Sequence, residues 1–439
     1  MTGIEIGILS IFLIIALIYS GLYVAVALGV VSFVGVWLER GFDTALNLVG
    51  FSAMEGIEEH KFAIIPLFVL MGMLASRAGM GQDIYRVSNY LFQRIRGGLG
   101  IATVAANAVF AAITGVTIAS ASVFSRISVP EMRRYGYTTR FSVGVVVGSS
   151  VLGMLIPPSV MLIIYAVITE LSIGQMFIAG IIPGVTLSAA YIVGIIAISY
   201  IYPKMIHTQG FAAGAGQTDD KLTLWEIVKM GGPAVTMIFV VMGGLYGGWF
   251  TAGEAGAAGS LVAFIFALLK KNLTLKTFWQ TMMDTGQITA TILILIVAAT
   301  MYSQMLGITG MHGALGTWIN SLDMGFVGFM TVFVIMLLIM GTLLDTISII
   351  LITVPLFMPV AEAFDINLYQ FGIIVVVAAE IGLLTPPLGM AVFVVKSALE
   401  DQSITLTDIF VGAFPFAIIM LCVLIAIIAF PQMSLFLLN

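Results

Sequence analysis

Residues 151–168 read VLGMLIPPSVMLIIYAVI, and residues 380–397 read EIGLLTPPLGMAVFVVKS. In each stretch, a glycine, three further residues and two adjacent prolines lie inside an apolar run. A proline in a helix interior removes a backbone hydrogen bond and clashes with the preceding turn, at a cost of about 3 kcal/mol. The sequence therefore predicts two apolar helices that are broken in the same way, around Pro157 and around Pro386.

The composition predicts a polytopic membrane protein that lies in a lipid bilayer. Of the 439 residues, 60% are hydrophobic and 9% are charged, and the mean hydropathy is +1.14. Soluble proteins carry about 25% charged residues. Apolar runs long enough to cross a hydrocarbon core of about 30 Å recur along the whole chain.

The same inventory argues against several other classes of protein. The single cysteine, Cys422, leaves no internal disulfide, and the three histidines have no zinc-binding spacing. No phosphate-binding loop points to ATP as an energy source, and no feature points to a nucleic-acid partner.

The positions of the basic residues orient the chain in the membrane. They form three groups: Arg86, Arg94 and Arg96; Arg126, Arg133, Arg134 and Arg140; Lys270, Lys271 and Lys276. The positive-inside rule puts these groups in the cytoplasm. The acidic stretch 39–60, interpreted as a loop, and both chain termini are then predicted on the outer side.

Residues 99–125 are predicted to form a re-entrant helical hairpin. Basic loops flank this segment, so both of its ends are expected inside, and a single crossing already needs about 20 residues. We expect the turn at Thr114–Thr117. The alternative is one full span, with the second basic loop outside.

The polar stretch 207–221, HTQGFAAGAGQTDDK, is interpreted as a linker between two repeats. Residues 1–206 are predicted as the first repeat, with scaffold helices in 4–77, the hairpin at 99–125 and a broken helix at 141–168. Residues 222–439 are predicted as the second, with scaffold helices in 232–305, a hairpin at 326–360 and a broken helix at 371–396. Since the halves start on opposite sides, the repeats are inverted, as is typical of secondary transporters. An accidental repeat is the alternative.

The broken helices and the hairpin tips predict two cation sites, one in each half. Irregular backbone at membrane depth is tolerated where it is buried or lines a cavity, and the freed carbonyl oxygens suit a hard cation such as sodium. The candidates are Thr114, Gly115, Thr117, Gly153 and Pro157 in the first half, and Gly341, Thr342, Asp345, Thr346, Gly382, Thr385 and Pro386 in the second. The alternative is two structural kinks without a ligand.

A substrate carboxylate is expected to contact helix N-termini and hydroxyl groups, because no arginine lies clearly at mid-membrane. The candidates are Ser149, Ser150, Ser159 and Thr385. Acidic residues inside a membrane are usually functional. Asp345 either binds a cation or caps the helix that follows it, and Glu380 either pairs with a basic group or carries a proton.

Five motifs, in this order, resemble the large membrane subunit of tripartite ATP-independent periplasmic (TRAP) transporters. They are VPEMRRYGYTTRF (129–141), VLGMLIPPSVMLIIY (151–165), WFTAGEAGAAGSL (249–261), GTLLDTISIILITVPLFMP (341–359) and EIGLLTPPLGMAVFVVKS (380–397). Two departures from the family pattern are a first hairpin tip with fewer hydroxyl groups and Asp345 where glutamate is common.

The resemblance implies an all-α, elevator-type importer in the bacterial inner membrane that takes up an organic acid with sodium. It also implies a small membrane subunit and a periplasmic substrate-binding protein as partners. The two termini would be periplasmic. The alternatives are a stand-alone cation-coupled carboxylate carrier and, more remotely, an intramembrane enzyme that uses Asp345 and Glu380. We expect the chain not to be an enzyme.

Overall fold

The computed structural model describes residues 2–58, 60–206, 222–321, 325–399 and 401–438, and every regular element within them is helical. The predicted linker 207–221 lies outside the described residues. The first half contains α1 (Gly3–Tyr19), α2 (Val24–Arg40), α3 (Phe42–Glu58), α4 (Ile64–Arg77), α5 (Met80–Phe92), α6 (Gly98–Thr114), α7 (Thr117–Arg134), α8 (Thr139–Ser150), α9 (Leu152–Leu155), α10 (Val160–Ile168), α11 (Ile173–Ile201) and α12 (Pro203–Ile206).

The second half follows a similar order of helices. It contains α13 (Leu224–Ile238), α14 (Gly244–Tyr246), α15 (Ala252–Leu269), α16 (Leu275–Ile308), α17 (Met311–Ser321), α18 (Gly325–Gly341), α19 (Thr346–Ala363), α20 (Leu368–Leu383), α21 (Met390–Leu399), α22 (Leu406–Ala429) and α23 (Gln432–Leu435). A short 3₁₀ helix, His60–Ala63, precedes α4, and a π-helical turn, Phe239–Gly243, joins α13 to α14.

Several helices are long and apolar enough to cross a bilayer. Within the described residues there are seven by length and composition, or up to eight if α4 and α5, which bend by 64° at their junction, are one span. The chain is therefore an all-helical, multi-pass membrane protein.

Residues 39–60 were expected to form an outer loop, and this expectation is wrong because α3 occupies most of them. Ala45, Leu48 and Ser52 are buried at helical spacing, and α3 packs against α2 and α16. An amphipathic helix buries the apolar positions Ala45 and Leu48 better than a loop does.

The segment predicted as the first hairpin is a pair of helices joined by two residues. α6 ends at Thr114 and α7 begins at Thr117. The predicted end of the hairpin at residue 125 is wrong, since α7 continues through Pro130 to Arg134 and packs against α8 and α21. The second pair has the same form, because α18 ends at Gly341 and α19 begins at Thr346.

The two Pro-Pro stretches interrupt helices, as their sequences indicate. Residues 156–159 separate α9 from α10, and residues 384–389 separate α20 from α21. The Pro157–Pro158 and Pro386–Pro387 peptide bonds are both cis.

The helices before these breaks form the centre of the molecule. Every residue from Phe141 to Ser150 in α8, and from Gln370 to Leu383 in α20, is buried. Two further helix pairs are α4 with α15 and α2 with α16; of these, α4 packs against α6 and α16 packs against α19. The first break is enclosed by protein, since Pro157, Pro158 and Ser159 are buried, whereas Pro386, Pro387 and Leu388 at the second break are exposed in this chain. Irregular backbone at membrane depth is tolerated where it is buried or lines a cavity.

Two ion pairs connect the halves near the basic ends of α7 and α8. Arg133 contacts Asp401 at 2.7 Å, and Arg140 contacts Asp408 at 2.8 Å. Hydrogen bonds from Ser403 and from Arg133 lower the pKa of Asp401 to about 2. Asp401 is therefore ionised at neutral pH and remains available to Arg133.

A pair of glycines sets the distance between α8 and α22. A methyl group at Gly144 would overlap the backbone of Gly412, and one at Gly412 would approach Gly144 and overlap the carbonyl of Arg140. Small residues allow such close helix packing inside a membrane.

We predict that Gly144→Ala destabilises the protein by about 1–3 kcal/mol, because overpacking costs more than the roughly 1 kcal/mol gained in helix propensity. The control is Gly231→Ala in α13, where the added methyl group would meet no atom within 4 Å. Thermal unfolding of the purified variants in detergent measures both effects. A Gly144→Ala protein at least as stable as the control would contradict the predicted overlap.

Candidate functional site

The tip of the first helix pair lies directly on the first Pro-Pro break. The amide of Val160 donates a hydrogen bond of 3.2 Å to the carbonyl of Gly115. A β-carbon at Gly115, which has φ +62°, would approach the carbonyl oxygen of Pro158 to 2.5 Å. Glycine is required at this tip both by the backbone angle and by the space.

The second helix pair approaches its broken helix in a similar way. A β-carbon at Gly341 would come within 2.6 Å of the carbonyl oxygen of Ala379 and 2.8 Å of the α-carbon of Gly382. Both contacts are to backbone atoms of α20. The end of α18 therefore lies against α20 just before its break.

Glu380 connects the two tips. Thr346, the first residue of α19, donates to one carboxylate oxygen of Glu380 at 2.7 Å. Thr117, the first residue of α7, donates to the other oxygen at 3.5 Å. The Glu380 side chain is fully buried, and no described lysine, arginine or histidine forms an ion pair with it. One carboxylate of α20 is thus shared by both hairpins.

Asp345 caps the helix that begins at the second tip. Its carboxylate accepts a hydrogen bond of 3.1 Å from the amide of Ser348 and a second one from the Ser348 hydroxyl. Each end of a long helix leaves backbone groups unpaired, and a carboxylate at the N-terminus satisfies them. The capping role expected for Asp345 is therefore present in the structure.

A cavity of about 470 Å³ lies between the tips and the helices α4 and α16, and we call it the tip cavity. Most of its wall is apolar. Its polar lining residues are Thr114, Thr117, Ser122, Gln287, Thr291, Asp345 and Thr346.

Four of the predicted site residues, Thr114, Thr117, Asp345 and Thr346, meet at this cavity. Four predicted glycines lie nearby and bring backbones together: Gly115, Gly153, Gly341 and Gly382. Pro157 and Pro386 lie in the breaks themselves.

The remaining predicted hydroxyls do not line the tip cavity. They donate instead to nearby backbone carbonyls, as follows: Ser149 to Val145, Ser150 to Val147, Ser159 to Met154, Thr342 to Ile339, and Thr385 to Gly382. A hydroxyl that donates to its own helix retains lone pairs but loses its donor.

The structure also places residues at the site that the sequence analysis did not select. Gln287 and Thr291, one turn apart on α16, form the polar part of the opposite wall. Asn107, fully buried in α6 and not in the cavity wall, donates to the Ser149 hydroxyl at 2.6 Å, and its amide oxygen has no partner among the described groups. A lone asparagine or glutamine within an apolar helix was the signal available for both.

The chemistry of the cavity suits ions of both signs. The N-terminus of α7, which has no side-chain cap, carries partial positive charge and favours a carboxylate. The Asp345 carboxylate and the threonine hydroxyls are oxygen ligands that a hard cation can use. No group of three or more His, Cys, Asp or Glu residues that could hold a metal occurs within the described part of the chain.

Comparison with protein families gives one match over nearly the whole chain. The family described as "Tripartite ATP-independent periplasmic transporter, DctM component" matches residues 11–433. The matched region includes both helix pairs, both breaks and every residue of the tip cavity.

Similar proteins are named for several different substrates. The C4-dicarboxylate TRAP transporter large permease of Rhodobacter capsulatus is 30% identical, and the alignment covers 97% of each chain. The ectoine/5-hydroxyectoine large permease of Ruegeria pomeroyi is 31% identical over 88% of this chain and 87% of that protein. The sialic acid large permease of Vibrio cholerae is 28% identical over 98% of this chain and 97% of that protein.

The fold is also similar to that of a solved transporter. The crystal structure of the Alcanivorax borkumensis YdaH transporter superposes with a TM-score of 0.64, covering 89% of this chain and 88% of that one. The sequence identity is 10%, so this likeness concerns the fold alone.

We predict that Thr346→Val destabilises the protein by about 1.5–3 kcal/mol, because it removes a buried hydrogen bond to a carboxylate. Thr117→Val should cost less, since its donor lies 3.5 Å from Glu380 and not 2.7 Å. Thermal unfolding in detergent measures each change.

The matched control is Thr353→Val on the same helix. Thr353 is also buried, but its hydroxyl donates to the Ile349 carbonyl of its own helix, so its loss should cost little. If Thr346→Val and Thr353→Val unfold at the same temperature, the connection through Glu380 contributes nothing to stability.

Proposed function

Because the chain belongs to the DctM family of TRAP transporter large permeases, we propose that it imports an organic acid anion together with sodium. The observation that carries this proposal is the meeting of two hairpin tips at one cavity and on one buried carboxylate. A site between discontinuous helices is the usual plan of a secondary transporter.

Sodium coupling is supported by the oxygen groups at the tips. Thr114 and Thr117 of the first tip, and Asp345 and Thr346 of the second, line the tip cavity. Each tip also lies against a break or a helix end where carbonyl oxygens are free of helical hydrogen bonds. One cation beside each tip would offset the negative charge of an acid substrate.

The substrate class is supported by the names of the relatives and by the cavity. C4-dicarboxylates, sialic acid and ectoine all carry a carboxylate, and they differ in size and in their other groups. In the tip cavity, the uncapped N-terminus of α7 provides a place for that shared group. Ser122, Gln287 and Thr291 provide hydrogen bonds for the variable remainder.

Glu380 is proposed to fix the position of the two tips relative to each other. It does so either as a carboxylate or by carrying a proton during the transport cycle. Its two oxygens accept hydrogen bonds from different hairpins. A change in its charge would therefore change the hydrogen bonds at both tips. The alternative ion-pair role lacks a basic partner among the described residues.

The partners and the location follow from family membership. The chain would act with a small membrane subunit and with a periplasmic binding protein that delivers the substrate. It would span the bacterial inner membrane with its basic loops in the cytoplasm and both termini in the periplasm.

An elevator mechanism is supported by the different helices on the two sides of the tip cavity. The hairpins and broken helices supply the tips, and α4 and α16 supply the wall that faces them. In this proposal, the hairpins and broken helices of the two repeats together form a domain that carries the site past α4 and α16, while these helices stay fixed in the membrane.

Uptake into proteoliposomes tests the proposed function. The liposomes contain this chain and the small subunit, and an inward sodium gradient is imposed with the binding protein added or omitted. C4-dicarboxylates, sialic acid and ectoine are the first substrates to compare. We predict uptake that requires both sodium and the binding protein.

Asp345→Asn should raise the sodium concentration needed for half-maximal uptake by about tenfold or more, a change of about 1.4 kcal/mol. Asparagine still caps a helix, so the fold should remain intact. The control is Asp284→Asn on α16, where an exposed carboxylate contacts Arg77 at 3.6 Å. Uptake at the same rate with and without the sodium gradient would refute the coupling. Uptake without the binding protein would favour a stand-alone carrier.

A further inference from the structure

A second cavity lies between α5 and α7, and we call it the arginine cavity. Its volume is about 550 Å³. Arg86 and Asn89 of α5 line one side, Arg126 and Glu131 of α7 line the other, and Leu222, just before α13, completes it. The arginine cavity and the tip cavity share no lining residue. The proposed substrate site therefore leaves this second cavity without a role.

Two guanidinium groups belong to the wall of the arginine cavity, and they come from different helices. Arg86 lies on α5 and Arg126 on α7. The Nε atom of Arg126 donates to the carbonyl of Ala398 at 3.3 Å, and this bond positions the guanidinium at the wall. A guanidinium binds a phosphate group through parallel N–H···O bonds. The cavity therefore suits a phosphate group held between the two helices.

The same wall also offers two hydrogen-bond acceptors. Glu131 supplies a carboxylate. Asn89 is only 7% exposed, and its amide oxygen has no partner among the described groups. A buried acceptor that lacks a donor costs about 1–3 kcal/mol. A ligand that carries an ammonium group beside its phosphate would supply donors to both acceptors.

The arginine cavity lies at the depth of lipid headgroups. Thr117 begins α7 at the first tip, and Arg126 and Glu131 follow it on the same helix. At 1.5 Å per residue, they lie about 14 Å and about 21 Å from the tip. Half of the hydrocarbon core is about 15 Å thick, and transporter sites lie near its midplane. The positive-inside rule puts this end of α7 on the cytoplasmic side.

Apolar surface adjoins the cavity. Leu224 and Trp225, at the start of α13, are 79% and 75% exposed, and α13 packs against α5. Leu91 of α5, next to Tyr90 in the cavity wall, is 60% exposed. Tryptophan is enriched at the membrane–water interface. Acyl chains would therefore cover this surface while a headgroup fills the cavity.

We propose that the arginine cavity binds a phospholipid whose headgroup carries a primary ammonium group, as that of phosphatidylethanolamine does. The phosphodiester lies between Arg86 and Arg126, and the ammonium group donates to Glu131 and Asn89. Basic pockets between membrane helices on the cytoplasmic side are typical sites for lipid headgroups. This site goes beyond the proposed transport function and does not depend on it.

The bound lipid connects α5 with α7. α5 follows α4 and packs against both α6 and α7. A headgroup that contacts Arg86 and Arg126 adds an interaction between the first hairpin and the helix that leads into it. A ligand that binds the folded state also stabilises it, so phosphatidylethanolamine should raise the unfolding temperature of the chain.

Lipid binding to the purified, delipidated chain in detergent tests the proposal, with native mass spectrometry as the readout. Short-chain phosphatidylethanolamine and phosphatidylcholine are titrated separately. We expect phosphatidylethanolamine to bind about tenfold more tightly, because the trimethylated nitrogen of phosphatidylcholine has no N–H to donate. Glu131→Gln should remove most of this preference. Equal binding of the two lipids by the unchanged chain would contradict the proposal.

The arginines are tested by a matched pair of variants. Arg86→Gln should weaken the binding of phosphatidylethanolamine about tenfold, because a charge-assisted bond to the phosphate is lost. Arg94→Gln removes the same charge from an exposed position outside the cavity and should leave binding unchanged. Arg86 is itself exposed, so its variant should fold. Equal binding by the two variants would overturn the assignment of the site.

Soluble phosphates distinguish a lipid from a free anion. Inorganic phosphate and phosphoethanolamine carry the same phosphate chemistry but no acyl chains. We expect both to bind at least tenfold more weakly than phosphatidylethanolamine, because they leave the apolar surface at Leu224 and Trp225 uncovered. If phosphoethanolamine binds as tightly as the lipid, the ligand is a soluble phosphate and the proposed lipid site is refuted.

Discussion

The hydrogen bonds from two threonines to one buried carboxylate are the interaction on which the centre of the molecule depends. Thr117 and Thr346 begin the second helices of the two hairpins, and both donate to Glu380. A buried carboxylate is costly unless its oxygens are hydrogen-bonded. If either hairpin moves away, Glu380 loses one of its hydrogen bonds. The two tips are therefore energetically linked.

Close backbone contacts make that link geometrically possible. Gly115 lets the first tip reach the carbonyl of Pro158, and Gly341 lets the second helix pair approach α20. The two helix N-termini and Asp345, which caps α19, then face one cavity. Tip, break and cavity thus form one unit, and the helices α4 and α16 face it across the cavity.

Much of this arrangement was readable from the sequence, because it follows from backbone chemistry. The Pro-Pro pairs mark the breaks, and the turn expected at Thr114–Thr117 is where α6 ends and α7 begins. Contacts between residues far apart in the sequence could not be predicted in this way. No sequence pattern indicated that Thr117 would contact a carboxylate 263 residues away, or that Ser149 would face Asn107 instead of a ligand. The helical conformation of residues 42–58 was also missed, because their acidic residues suggested a loop.

The two halves are not equivalent, and the difference bears on function. When the two Pro-Pro stretches are aligned, Glu380 corresponds to Val151, so only the second half supplies the shared carboxylate. The most direct test of the account is a cryo-EM structure of the chain with its small subunit, sodium and a transported acid. We predict that the acid occupies the tip cavity, with its carboxylate at the N-terminus of α7. Density for the acid outside the space between the two tips would contradict the account.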